Sequence, residues 1–147
     1  GHFHCAPWVA LCEALHILLP QQHRAAAAGG STLCAESRFR QSFPCAIADV
    51  LAGRHDLRAP LIAAVIDTAT KASDANLVVT LADPTGKIQA VVHQQALFEH
   101  AGDLVTGAAL ALRRAAIWVS GPGTQRALNI HPDNIMAVFP VSTPMPS

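Results

Sequence analysis

The stretch that decides the fold covers residues 77–93 and reads LVVTLADPTGKIQAVVH. Its first arm is apolar and rich in β-branched residues, which favours a strand. Its second arm alternates, so that Ile88, Ala90 and Val92 are predicted to share one face of a second strand. Two strands joined by a tight turn are marginal alone, and a stable domain needs further strands. The stretch is therefore predicted to be the central hairpin of a small barrel.

The four residues between the two arms, Asp83-Pro84-Thr85-Gly86, have the composition of a tight turn. The Asp83 carboxylate can accept hydrogen bonds from the turn backbone, and Pro84 presets φ for a turn corner. Gly86 is predicted to adopt a positive φ, which a glycine does without a Cβ clash. These residues form the predicted structural turn.

The segments on either side of the hairpin supply the other elements of a barrel, because short apolar runs are separated there by turn residues. The predicted strands and the one short helix among them are, in chain order, 61–69, 76–83, 87–93, helix 94–100, 108–120, 125–131 and 135–140. Residues 108–116 would suit a helix by propensity alone, but Ile117, Trp118 and Val119 continue the apolar run, so a strand is predicted. A mainly β, five-stranded Greek-key barrel with a short helix between strands three and four is an OB-fold. An SH3-like barrel, which lacks that helix, is the alternative.

The core of this barrel is predicted from the residues that alternate toward one face of each strand. They are Ile62, Val65, Val78, Leu81, Ile88, Val92, Leu97, Phe98, Leu110, Leu112, Ile117, Leu128, Ile130 and Val138. Leu97 and Phe98 are expected to close the bottom of the barrel, and Trp118 is expected to pack in the core.

Three regions are predicted along the chain. Residues 1–57 are a helical lead-in, residues 58–141 are the OB-fold domain, and residues 142–147 are a disordered tail. Within the lead-in, residues 21–37 are rich in Ala, Gly and Ser without a periodic apolar face, which indicates a flexible linker.

Two helices are predicted in the lead-in. The first covers residues 7–19, with Pro7 at the first helical position, where its missing N–H costs nothing. The second covers residues 44–52, with Ser42 near its cap and Gly53 just past its end. A helix as short as the first is marginal alone, so it is expected to dock, either on its own domain or on a partner. Docking on its own domain is the favoured hypothesis.

Charge and hydropathy narrow the classes of function. The 147 residues include 10 basic and 10 acidic side chains, so the formal net charge is zero. Proteins that bind nucleic acid by bulk charge are basic, so any such contact here must come from a local patch. The sequence has no run of 18 apolar residues and no secretion signal, so no membrane partner is expected. The sequence does not begin with Met, so the chain is expected to be a piece of a longer protein.

Four cysteines precede the predicted barrel and none forms a CxxC pair: Cys5, Cys12, Cys34 and Cys45. Free thiols in a reducing compartment are therefore expected. Zinc is the alternative, because several candidate ligands lie near the start of the chain: His2, His4, Cys5, Cys12 and His16. Their spacing matches no zinc finger or ribbon, so neither a metal nor another cofactor is predicted.

The candidate nucleic-acid contacts are cations and polar side chains of the predicted barrel surface. They are Lys71, Lys87, Gln89, His93, Arg113, Arg114 and Arg126. A groove that follows a phosphate backbone would use such side chains, whereas a solvated surface is the alternative for scattered charges. Stacking aromatics are absent from strands two and three, so weak single-strand binding, mostly to phosphates, is predicted.

No catalytic residue is predicted. The sequence has no nucleophile elbow, no HExxH and no P-loop motif. His93, His100 and His131 are isolated at predicted strand ends or loops, and Asp83 is explained by the turn.

Two segments resemble one known family. Residues 83–93, DPTGKIQAVVH, are similar to the DPTGxMQGxVH hairpin of the homologous recombination OB-fold protein family, and residues 128–135, LNIHPDNI, are similar to its LNVTPxNL segment. Residues 8–21 are similar to the helix that precedes its barrel. The sequence departs from the family at Ala90, where Gly is usual, and at His131, where Thr is usual.

The resemblance implies a nuclear accessory factor that is not an enzyme. The family recruits or activates a hexameric helicase of the minichromosome-maintenance type in homologous recombination and interstrand crosslink repair. It contacts that helicase partly outside its OB-fold, and residues 25–32 of this chain have no counterpart in it. Two hypotheses follow: an interaction module of a helicase cofactor, or a direct binder of single-stranded DNA, which a titration at low salt separates.

Overall fold

The computed structural model describes residues 3, 5–18, 46–55, 57–72, 76–100, 102–120 and 125–144. Within these residues the chain forms three α-helices, namely α1 (Ala6–Leu18), α2 (Ile47–Leu51) and α3 (Gln94–Glu99). The strands of the same part of the chain are β1 (Arg58–Lys71), β2 (Leu77–Asp83), β3 (Gly86–Val92), β4 (Ala109–Ser120), β5 (Gln125–Ile130) and β6 (Ile135–Phe139). A 3₁₀ turn, Pro132–Asn134, separates β5 from β6. The predicted linker lies outside the described residues, and the predicted domain limits stay predictions.

The strands close into a barrel with the connectivity of an OB-fold. The hydrogen-bonded neighbours run in the order β1-β2-β3-β5-β4, and β1 pairs again with β4 to close the ring. β3 and β5 are parallel, whereas the other neighbours are antiparallel. β5 and β6 lie along the same edge of β4, so together they occupy the place of one fifth strand. The predicted five-stranded OB-fold is confirmed, and α3 between β3 and β4 excludes the SH3-like alternative.

β4 is a strand although its first half would suit a helix. Leu110 and Leu112 point into the barrel, while Ala109 and Ala111 point outward and are buried in a second apolar cluster. Burial on both faces removes the polar alternation that normally identifies a strand. The prediction that this segment is extended is confirmed.

The barrel interior contains most of the predicted core. The predicted side chains that lie in it, with the last two at its margin, are Ile62, Leu81, Ile88, Val92, Leu110, Leu112, Ile117, Leu128, Ile130, Leu97 and Val138. The prediction is wrong for Val65, which is buried on the outer face, and for Val78, which is half-buried because Val79 points inward. It is also wrong for Phe98, which is 87% exposed. The six-residue α3 can turn only one face to the barrel, and Ala96 is its buried residue.

α1 packs on the outer face of the barrel, against β1, β4 and β6. Its buried side chains Trp8, Leu11 and Leu15 form the second apolar cluster with small residues of the strands, including Ala109 and Ala111. Alanines at these positions leave room for the side chains of the helix against the sheet. The helix docks on its own domain, as predicted.

Asp83 organises the hairpin turn and, at the same time, the start of α2. Its Oδ1 accepts hydrogen bonds from Thr85 N at 2.7 Å, Thr85 Oγ1 at 2.6 Å and Gly86 N at 3.1 Å. Its Oδ2 accepts a hydrogen bond from Ile47 N at 2.9 Å. This N–H lies in the first turn of α2, where the helix itself supplies no acceptor. Burial raises the pKa of the Asp83 carboxyl, while these donors favour its charged form. The predicted cap Ser42 lies outside the described residues.

Gly86 does not have the predicted positive φ. Among the described glycines, positive φ values occur at Gly53, Gly102 and Gly107. Pro84 and Thr85 take the two corners of the turn, and Gly86 pairs with Asp83 as the first residue of β3. Gly53 follows the end of α2 with φ +80°, as a glycine at this position is expected to do.

Gly86→Ala is therefore expected to change the free energy of unfolding by no more than about 0.5 kcal/mol. A Cβ at Gly86 would lie 3.9 Å from Ile47 Cγ2 and Leu51 Cδ1, which is ordinary contact. Gly53→Ala is the matched comparison, and it should cost about 1 kcal/mol or more because its φ is positive. Urea denaturation of both variants checks this, and an equal loss for the two would contradict the assignment of the turn.

Candidate nucleic-acid interface

The seven predicted nucleic-acid contacts lie on separate surfaces of the barrel. Lys87, Gln89 and Arg126 line one cleft, between β3, β5 and α2. Arg113 and Arg114 line another cleft. Lys71 and His93 lie away from both clefts. The barrel therefore brings together two subsets of these residues and not the whole set.

In the first cleft the positive charge is partly neutralised. Lys87 Nζ lies 3.2 Å from Asp67 Oδ2 and forms an ion pair with it. The Arg126 guanidinium lies over the end of α2, where a Cβ at Gly53 would be 3.1 Å from its Nη2. The Arg126 Nε is buried and has no hydrogen-bond partner within the described residues. This cleft offers Gln89 and part of Arg126 to a ligand.

The second cleft is an arginine cluster, which consists of Arg58, Arg113 and Arg114 and is bordered by Asp133 and Asn134. Arg58 Nη1 donates to Arg114 O at 2.8 Å, and Arg113 Nε donates to Asp133 O at 3.2 Å. In the part of the chain that the structure describes, none of the three guanidinium groups forms an ion pair with a carboxylate. The cluster therefore keeps its positive charge.

A kink in β4 puts two successive arginines on the outside of the barrel. Leu112 and Ala115 both point inward, and Arg114 between them has φ +54°, which is rare for a residue other than glycine. Asn134 stabilises the kink, since its Nδ2 donates to the carbonyl oxygens of Arg113 at 3.1 Å and Arg114 at 3.2 Å. Strained backbone of this kind occurs preferentially at functional sites.

The two remaining predicted contacts lie near the ends of strands. His93 caps α3, because its Nδ1 accepts a hydrogen bond from Gln95 N at 3.2 Å. Its ring lies 5.0 Å from the ring of His131, which contacts Asn129 at 3.1 Å. Lys71 ends β1 and lines a shallow hollow with Leu97. His93 thus has a structural role that the sequence did not indicate.

Trp118 does not pack in the core as predicted, since it is 55% exposed. Its neighbour Ile117 points into the barrel, so the alternation of the strand turns the indole outward. In the sheet Trp118 pairs with Ala127 of β5, and Ala127 pairs with Gln89 of β3. The outer face of the barrel therefore has an exposed aromatic residue beside the predicted polar contacts. Neither Arg58, the first residue of the predicted OB-fold domain, nor this indole was predicted from the sequence as a nucleic-acid contact.

The described part of the chain contains no group of three or more His, Cys, Asp or Glu side chains that could hold a metal ion. Cys12 is a free thiol, and burial raises its pKa to about 12. The other candidate ligands, His2, His4 and the His16 side chain, lie outside what the structure describes, as do Cys34 and Cys45. No helix among the described residues is both long and apolar enough to span a bilayer.

Comparison with known proteins agrees with the sequence resemblance. The profile of the homologous recombination OB-fold protein family matches residues 57–142, which is more than half of the chain. This chain belongs to the homologous recombination OB-fold protein family. The matched residues include the whole barrel, all seven predicted contacts and the arginine cluster, whereas α1 and α2 precede the match. No curated protein matches the sequence.

Three solved structures are similar to this chain at low sequence identity. A structure described as "Structural mimicry for functional antagonism" is 13% identical, with a TM-score of 0.50 over 74% of this chain and 52% of that chain. An OB domain from Methanosarcina mazei is 17% identical, with a TM-score of 0.44 over 60% of this chain and 75% of its own. A murine DNA binding protein bound with double-stranded DNA is 14% identical, with a TM-score of 0.47 over 76% and 56%. At 13% identity, the likeness to the first of these structures concerns the fold alone.

Proposed function

We propose that this chain is a non-enzymatic OB-fold module of a nuclear DNA-repair factor. It recruits or activates a hexameric helicase of the minichromosome-maintenance type in homologous recombination and interstrand crosslink repair. The observation that supports this proposal is the family match over residues 57–142, which coincides with the closed barrel. A second feature agrees with a binding role, since the chemistry-bearing side chains Asp83 and His93 are engaged in capping and turn hydrogen bonds.

A binding experiment with the purified hexameric helicase tests this proposal. Association of the helicase with the immobilised chain is followed by biolayer interferometry. In a separate assay, unwinding of a forked DNA substrate by the helicase is followed with and without the dissolved chain. We expect saturable binding or a several-fold increase in the unwinding rate. The absence of both at micromolar concentrations of the chain would contradict the proposal. Ribonuclease A, which is similar in size, serves as the unrelated control protein.

Direct binding of single-stranded DNA is the second candidate function. The observation that favours it is a pair of features on the outer face of β1 and β4: three arginines without carboxylate partners and an exposed indole. Because the contacts are predicted to be mostly with phosphates, the affinity is expected to fall as salt is added, and the zero net charge of the chain is expected to keep it weak.

Arg113→Glu is expected to weaken single-strand binding about tenfold at low salt, whereas Lys87→Glu is expected to weaken it less than threefold. Arg113 belongs to a cluster that keeps its charge, while the charge of Lys87 is already paired with Asp67. The measurement is fluorescence anisotropy of a labelled oligothymidylate over a series of salt concentrations. If Lys87→Glu had the larger effect, the cleft between β3 and β5 would be the contact surface instead.

A further inference from the structure

We propose that a single strand of nucleic acid binds along the outer face of β4 and β5, where Trp118 stacks on a base and the arginine cluster holds the phosphates. We call this surface the β4 strip, and it consists of Arg58, Arg113, Arg114, Ala116, Trp118, Ala127 and Asn129. The inference rests on the second candidate function, the single-strand contact, and it names the surface that makes the contact.

The strip is continuous because its residues are neighbours in the sheet. Arg58 of β1 pairs with Ala116 of β4, and Ala116 pairs with Asn129 of β5. One step further along the same face, Trp118 pairs with Ala127. The residues between the arginines and the indole, Ala116, Ala127 and Asn129, have short side chains.

The arginine end of the strip is suited to phosphates. Arg58 and Arg113 each use one N–H for a backbone carbonyl, which orients the guanidinium group and leaves most of its five donors free. Planar guanidinium groups with free donors bind phosphate oxygens in pairs of hydrogen bonds. Asp133 is the carboxylate at the border of the cluster, and it is not within ion-pair distance of any of the three arginines.

The indole end of the strip is suited to a base. Trp118 is 55% exposed, whereas Trp8 is 6% exposed. An exposed indole on a sheet face provides a stacking surface of the kind that single-strand binders use. Arg114 and Trp118 are four residues apart, which is about 13 Å along a strand, so the strip covers only a few nucleotides.

A single strand fits this surface better than a duplex or an acidic peptide does. In a duplex the base faces are already stacked on one another, so the indole would have no partner. An acidic peptide would satisfy the arginines but would leave the indole exposed. The strip also accounts for the lack of aromatics on β2 and β3, since the stacking residue lies on β4 instead.

The first test uses the fluorescence of Trp118. The chain has two tryptophans, so Trp8→Phe leaves Trp118 as the one emitter. Titration of this variant with a short oligothymidylate at low salt is expected to quench the emission saturably, while the matched duplex and polyglutamate are expected to leave it unchanged. Binding of the oligothymidylate without quenching would overturn the strip, although the single-strand contact would stand. Equal or tighter binding of polyglutamate would assign the arginine cluster to an acidic peptide and overturn the proposal.

The second test uses variants of the chain with both tryptophans and a labelled oligothymidylate, so it does not depend on Trp8→Phe being folded. Trp118→Ala is expected to weaken binding about tenfold, within the range of one stacked base. Arg114→Gly is expected to weaken it severalfold while the melting temperature stays the same or rises, because glycine tolerates φ +54°.

Helicase binding provides the separate control for these variants. Trp118→Ala is expected to keep the association with the hexameric helicase that the proposed function requires. Loss of helicase binding with unchanged oligothymidylate binding would overturn the strip as a DNA surface. Wild-type affinity of both Trp118→Ala and Arg114→Gly for the oligothymidylate would also overturn the strip. Neither result would affect the helicase role proposed for this chain.

Discussion

Asp83→Ala is expected to lower the free energy of unfolding by about 4 kcal/mol, because one buried carboxylate holds two elements together. The side chain is 4% exposed and accepts four hydrogen bonds, three from the turn and one from Ile47 N. Its removal leaves these donors without their acceptor in a place that water reaches poorly. The variant should therefore loosen the β2–β3 hairpin and release α2 in a single step.

Urea denaturation, followed by far-ultraviolet circular dichroism, measures this loss. Asp133→Ala is the matched control, since its carboxylate is exposed and its effect is expected to stay within about 0.5 kcal/mol. Asp83→Asn keeps the shape but would turn an amide nitrogen toward either Ile47 N or the turn, so it is expected to cost about 2 kcal/mol. Equal stability of Asp83→Ala and Asp133→Ala would show that α2 and the hairpin are not joined by this side chain.

Leu11→Ala is expected to lower the free energy of unfolding by about 3 kcal/mol, which is typical of a leucine removed from a well-packed core. Leu11 is 0% exposed and lies in the cluster between α1 and the outer face of the barrel. Its neighbours there are small residues of β1 and β4, such as Ala63 and Ala109, which cannot rearrange to fill the cavity. The cavity should therefore stay open, and most of its cost to the free energy of unfolding should be observed.

The matched control for this substitution is on the same helix. Glu13 of α1 is exposed, so Glu13→Ala is expected to change the stability by less than about 0.5 kcal/mol. Thermal denaturation of both variants distinguishes a docked α1 from an undocked one. If Leu11→Ala lost no more stability than Glu13→Ala, the helix would not be packed on the barrel in solution. The result bears on the family, because α1 precedes the region that the family profile covers.

Much of the fold could be predicted because its signals are local. The hairpin turn, the alternation in β3 and the short helix after it each depend on residues within a few positions of one another. The predictions were wrong where a local pattern was compatible with two structures. Gly86 follows Asp-Pro-Thr and could have been a corner with positive φ, but Pro84 and Thr85 occupy both corners. Phe98 and Leu97 are equally apolar neighbours, and only the direction in which α3 faces the barrel separates them.

The candidate site was predicted less completely, because charge alone does not show which cations are neighbours. Lys87 and Arg113 look equivalent in the sequence, yet Lys87 of β3 is paired with Asp67 of β1, two strands away in the sheet, and Arg113 belongs to the arginine cluster. Trp118 was assigned to the core because large aromatics are usually buried there, and its exposure depends on Ile117 taking the inward position.

Local sequence was sufficient for the OB-fold itself, since alternation, turn residues and element order are properties of short segments that persist wherever the segments pack. Tertiary structure alone decided the long-range contacts. The bond from Ile47 N to Asp83 spans 36 residues, and Arg58 donates to a carbonyl 56 residues away. No short-range pattern records such contacts, because closure of the barrel is what brings the groups together. The same closure places Arg58 of β1 next to β4, on the outer face that also carries Arg113, Arg114 and Trp118, and so produces the surface on which the proposed strand binds.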